Sequence, residues 1–111
     1  MQDKAKNLSA MMLACALALL TGMAAAQSYP SKPVRLIIPF PPGGSNDIVG
    51  RFLATKLSER LGKQVVADNR GGAGGVIGTD AAAQSNPDVH TLLVISSTYA
   101  INTSLYKRPY D

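Results

Sequence analysis

The chain has 111 residues, 11 Lys and Arg against 7 Asp and Glu for a formal net charge of +4, one cysteine and one histidine. That length holds one small domain at most. The positive charge is mild and scattered, which argues against nucleic acid as a partner. A lone cysteine excludes an internal disulfide, and a lone histidine, His90, reads as a turn or strand-start residue rather than a metal ligand.

Residues 1–26 read as an export leader. Lys4 and Lys6 give a weakly basic start, residues 10–20 are almost entirely apolar, and Ala24 and Ala26 supply the small-residue pair of a cleavage site. The apolar run is short for a membrane span. Cys15 lies inside it, and Leu13-Ala14-Cys15 loosely resembles a lipid-attachment site, but with too little apolar chain before the cysteine. Cleavage after Ala26 leaves residues 27–111 free of thiol chemistry.

Residues 27–33 are polar and proline-containing. Residues 34–38 are apolar enough to be buried on both faces, as in a parallel strand covered by helices. The stretch Pro39-Phe40-Pro41-Pro42-Gly43-Gly44-Ser45-Asn46-Asp47 then reads as a tight loop opening a helix. The glycines let the backbone turn its N–H groups inward, and Ser45 is expected to cap the helix. The free N–H groups and the helix dipole make an anion-receiving device without a lysine. A plain strand–helix connector is the other reading of this loop. Ile48, Phe52, Leu53, Leu57 and Leu61 form the expected apolar stripe, with Gly62 as the stop. Asp47 either stabilises the helix start, paired with Arg51 one turn on, or orients a ligand group or a water.

Val65, Val66 and Ala67 mark a second strand, and residues 69–75 a second glycine-rich loop. Val76, Ile77, Ala81 and Ala82 suggest the apolar side of a second helix. Asn86-Pro87-Asp88 marks a turn, residues 91–95 a third strand, and residues 99–106 a short helix. The expected fold is α/β, a βαβαβ unit with parallel pairing and right-handed crossovers. Ligands gather at the carboxyl ends of such strands, where loops 40–47, 70–75 and 96–102 should converge.

Other chemistries fail on spacing. After Gly72-Ala73-Gly74 a dinucleotide fingerprint needs glycine at the position of Ile77, and no Gly-Lys-Ser/Thr loop exists. Ser45 lacks a nucleophile elbow, so no enzyme activity and no cofactor is expected.

Taken together, Tyr29-Pro30-Ser31-Lys32-Pro33-Val34-Arg35, then Pro39 to Gly44 with Asp47 and Arg51, resemble the tripartite tricarboxylate transporter substrate-receptor family, the Bug or TctC-like periplasmic solute-binding proteins. Asn69-Arg70 with residues 72–78, Ala100-Ile101-Asn102, Ser104-Leu105-Tyr106 and Pro109-Tyr110-Asp111 are similar to later motifs of that family. The resemblance implies the first lobe of a two-lobed Venus-flytrap fold in the periplasm. It implies small carboxylate solutes held between lobes through backbone N–H groups and bridging waters, and membrane components of a tripartite transporter as partners. It also implies cleft residues: Phe40, Gly43, Gly44, Ser45 and Asp47 from the first loop, and Gly74, Gly75, Ser97, Thr98 and Asn102 from the others. Family members are longer, so residues 27–111 are expected to form only the front of the first lobe, in a truncated member. Its alternative is a non-binding fragment or an interaction module. Gly71 and Thr103 stand where proline is frequent, which loosens the second loop at Gly71. Val89 stands where glycine is common, and a positive φ there costs stability.

Overall fold

The computed structural model describes residues 2, 4, 6–8, 11, 12, 28–107, 109 and 110. Cys15 and the cleavage site near Ala26 lie outside the described residues. Among the described residues no helix is long and apolar enough to cross a membrane.

The chain runs β1 (Val34–Ile38), α1 (Ser45–Leu61), β2 (Val65–Asn69), a 3₁₀ turn (Ala73–Gly75) continuing into α2 (Val76–Ala83), β3 (Thr91–Leu93) and α3 (Ser97–Leu105). The three strands form one sheet in the order β2-β1-β3, parallel throughout, which is the βαβαβ arrangement expected. β1 takes the centre because its apolar run can be buried on both faces. Val34, Ile37 and Ile38 are fully buried and Leu36 nearly so. Each such side chain contributes about 1.5–3 kcal/mol of transfer free energy.

One core joins Val34 and Leu36 of β1, Val65 of β2 and Ala54 of α1, with Leu57, Leu61, Ala67, Leu92 and Val94 packed round it. Ile37 points to the opposite face, as strand alternation requires. α2 packs against β1 and β3. Gly62 closes α1 in the left-handed region at φ 65°, its N–H donating to Ser58 O at 3.1 Å. Ser58 Oγ then accepts from Val65 N–H at 2.8 Å, so the end of α1 is tied directly to the start of β2.

The expected stripe on α1 needs correction. Ile48 and Phe52 are 65% and 62% exposed, and Leu53 is exposed too. Gly50 and Ala54 are buried instead, with Leu57 and Leu61 continuing their line. The reason is close approach: a Cβ on Gly50 would stand 2.6 Å from Ile38 Cδ1, so only the smallest residue lets the helix lie this near the sheet. In α2 likewise Val76, Gly78 and Thr79 are buried while Ile77 is exposed. β2 extends two residues further than expected, to Asn69. β3 stops at Leu93, although Val94 N–H still donates to Ile37 O at 2.9 Å.

At the strands' starting ends, residues 29–32 are laced to the turn before β3. Tyr29 Oη donates to Val89 O at 2.8 Å, and Lys32 Nζ to Asp88 Oδ2 at 2.6 Å. His90 Nδ1 lies 2.7 Å from Asp88 O, with the Tyr29 ring beside it. Val89 does adopt a positive φ of 59°.

Candidate functional site

At the opposite ends of the strands the three loops come together. Gly43 is at φ 91°, with open space where a side chain would go. Gly44 is the N-cap of α1, and the first intrahelical bond is Ile48 N–H to Gly44 O at 3.0 Å. The preceding N–H groups of the first turn therefore have no helical acceptor. Gly43, Gly44 and Ser45 are exposed. Ser45 is not the cap that was expected: it is the first helical residue, and no side chain bonds at the N-cap. The carboxylate of Asp47 instead reaches back to Gly43 N–H at 2.9 Å, a bond that fixes the loop before the N-cap rather than satisfying a first-turn N–H.

Asp47 is buried, and both of its oxygens are engaged. It also accepts from Arg51 Nε at 3.0 and 3.1 Å and from Asn69 Nδ2 at 2.9 Å. The Gly43 N–H, the Asn69 amide and the Arg51 guanidinium, in that order of effect, pull its pKa from 3.8 down to about 2. Of the two roles open to Asp47, this geometry is that of a loop-stabilising residue.

The second loop is shaped by its backbone. Gly72, Ala73, Gly74 and Gly75 have φ of 128°, 47°, 64° and 94°. Gly71 is more constrained than its looseness in the sequence suggested, since a Cβ there would meet Pro41 at 3.2 Å. Asn102, 3% exposed on α3, donates from Nδ2 to Gly74 O at 2.8 Å and so ties the third region to the second. Ser96 is the N-cap of α3, and Ser97 and Thr98 occupy its first turn.

These elements frame a shallow cavity of about 10 Å³, lined by Pro39, Phe40, Gly74, Gly75, Thr79, Val94, Ile95, Ser96, Tyr99 and Asn102. Of the expected site residues, Phe40, Gly74, Gly75 and Asn102 are brought together there. Gly43, Gly44, Ser45 and Asp47 belong to the adjoining loop, and Ser97 and Thr98 follow Ser96 without lining the cavity. Thr79 was not anticipated, while Ser96 and Tyr99 lie in the expected loop 96–102 without having been singled out as site residues. Thr79 Oγ1 donates to Gly75 O at 2.9 Å, and Ser96 Oγ is buried without a hydrogen-bond partner among the described residues. Among the described residues no Lys, Arg, Asp or Glu lines the cavity, so any preference of the lining residues for charge rests on dipoles and N–H groups. Among the described residues no cluster of His, Cys, Asp or Glu could hold a metal ion. About 10 Å³ holds roughly one water, whereas small-molecule pockets run to roughly 300–1,000 Å³. The surface described is one wall rather than an enclosure.

Comparison with known proteins agrees with this fold. Residues 49–111 match the tripartite tricarboxylate transporter family receptor, TctC. Protein BugT of Bordetella pertussis is 51% identical over 84 residues, covering 76% of this chain and 26% of BugT. A solved structure of a periplasmic transporter superposes with a TM-score of 0.70 at 46% identity, covering 75% of this chain and 29% of that one. A Rhodopseudomonas palustris protein solved with adipate does so at 0.59 and 36%, covering 60% and 22%. The chain thus spans about a quarter of the length of the relatives it matches. With the parallel sheet, the glycine-shaped loops at its carboxyl ends and these matches in hand, the chain belongs to the tripartite tricarboxylate transporter receptor family.

Proposed function

We propose that this chain supplies one wall of an extracytoplasmic receptor for small carboxylates, exported by a leader spanning residues 1–26 and cleaved near Ala26. Residues 27–111 are the front of its first lobe. In the periplasm the receptor hands solute to the membrane components of a tripartite transporter, and no catalytic step is assigned to it. The observation that carries the reading is the exposed turn beside the Gly74–Gly75 loop, at the N-terminus of a 17-residue helix, where the N–H groups of Gly44 and Ser45, unlike that of Gly43, are not taken by Asp47. A carboxylate meeting such N–H groups gains charge-assisted hydrogen bonds of about 1.5–3 kcal/mol each, with the helix end adding about 0.3–1 kcal/mol. Phe40, Gly74, Gly75 and Asn102 would face the solute's carbon chain and second polar group. Ser97 and Thr98 lie at a second helix start, and the unpartnered Ser96 hydroxyl offers one more hydrogen bond. The adipate bound by a structural relative fits a dicarboxylate laid across two such loops.

A thermal-shift and calorimetry panel of di- and tricarboxylates tests this. We expect one acid to raise the melting temperature, and Gly44→Val to remove the effect by covering the N–H groups. A panel without any response would instead favour a second reading, a non-binding fragment or an interaction module. The exposed apolar patch of Ile48, Val49 and Phe52 speaks for that alternative.

A further inference from the structure

One side chain outside the solute-facing surface joins the first two loops. Asn69 ends β2, paired in register with Ile38 at the end of β1. Its Nδ2 donates to Phe40 O at 3.0 Å and to Asp47 Oδ1 at 2.9 Å, while its Oδ1 accepts from Arg51 Nη2 at 2.9 Å. These partners fix the amide's orientation, because the reverse would set its oxygen against a carbonyl and a carboxylate. Asp47 passes the tie on to Gly43 N–H. Phe40 at the start of the loop, Gly43 at its turn and Asp47 in the first helical turn are therefore all anchored to the neighbouring strand's end.

We propose that Asn69, held by Arg51, is a positioning residue for the receiving loop: it fixes the main chain of residues 40–47 so that Gly43, Gly44 and Ser45 stay presented at the surface. It does not itself touch solute. The Arg51 cation also offsets the charge of Asp47, which from the first helical turn would otherwise oppose an arriving anion. The effect on solute rests on the receptor reading; the effect on the loop does not.

The test uses the full chain and two variants. Asn69→Asp has the same shape but turns the donors into acceptors facing Phe40 O and Asp47. Arg51→Gln removes the cation from an exposed position, and decides the matter if Asn69→Asp does not fold. Amide NMR signals and hydrogen exchange at Gly43, Gly44 and Ser45 are compared with those at Gly74 and Gly75, and adipate affinity is measured by calorimetry. We expect both variants to shift the first set and leave the second in place, with exchange at Gly43 faster and adipate weaker by about tenfold or more for Asn69→Asp. Unchanged signals at Gly43 to Ser45, or losses that only track a fall in global stability, would overturn the proposal. If the unmodified chain shows no adipate binding, the receptor reading loses that solute, and the amide signals still decide whether Asn69 shapes the loop.

Discussion

The two glycine-rich loops sit side by side at the same end of the sheet, yet they are held in shape by different means. Residues 39–44 are fixed by side chains: Asp47 and Asn69 bind the loop's main chain and Arg51 holds those two in place, while Gly43 and Gly44 themselves have almost nothing packed against them. Residues 71–75 are fixed by backbone conformation and close packing, with four consecutive positive φ angles from Gly72 to Gly75. The helix that follows presses Gly78 onto the chain, where a Cβ would lie 2.6 Å from Arg70 O and 2.7 Å from Pro39 Cα. The lesson is that one loop is vulnerable to lost functional groups and the other to added atoms.

That contrast can be broken by experiment, starting with the largest effect. Gly78→Val forces backbone against backbone and should cost about 3 kcal/mol or more, read from urea denaturation. Gly75→Ala places a Cβ at φ 94° and 3.4 Å from Phe40 Cζ, so a loss of about 1–2 kcal/mol is expected by the same method. For the first loop the sensitive variable is charge. Asp47 has a folded pKa of about 2 against 3.8 ordinarily, so its stabilising contribution is complete above pH 3.8 and disappears as pH falls through 2. Melting temperatures between pH 4 and 2 should fall less steeply in Asp47→Asn than in the unmodified chain. Smallest of all, Gly44→Ala should change stability by under about 1 kcal/mol, because φ is −82° and the nearest atom to a Cβ is 3.9 Å away, so alanine's poorer N-cap preference is set against its less flexible unfolded chain. A loss at Gly44→Ala equal to that at Gly75→Ala would erase the distinction between the loops.

Much of the fold was legible beforehand because it follows from periodicity and punctuation. The apolar run 34–38, the stop at Gly62 and the glycines before α2 each act locally, and each fell where it was read. What failed depended on contact. Counting apolar residues on α1 selected Ile48 and Phe52, whereas burial follows Gly50 and Ala54, whose value is their small size against Ile38. Ser45 and Asp47 were both plausible partners for the helix start. The competition was settled by Asn69 and Arg51, which lock the Asp47 carboxylate beside Gly43. Asn69 carried no role in the sequence reading because its importance comes from the pairing of Ile38 with Asn69, and strand register is not written in composition. Thr79 was missed for the same reason, being an ordinary polar residue until packing sets it against Gly75 O, while Ser96 was read only as part of the loop 96–102.

The central position of β1 has a consequence for the spacing of the loops around it. Its last two carbonyls receive the chain on either side: Ile38 O takes Arg70 N–H at 2.8 Å, and Ile37 O takes Val94 N–H at 2.9 Å. Neighbouring strands lie about 4.8 Å apart in the hydrogen-bonding direction, so the starting points of the loops that follow β1, β2 and β3 are spaced by peptide geometry rather than by side chains. On the receptor reading proposed above, any adjustment to diacids of different length would have to come from the side chains crowning the sheet or from whatever surface closes over them.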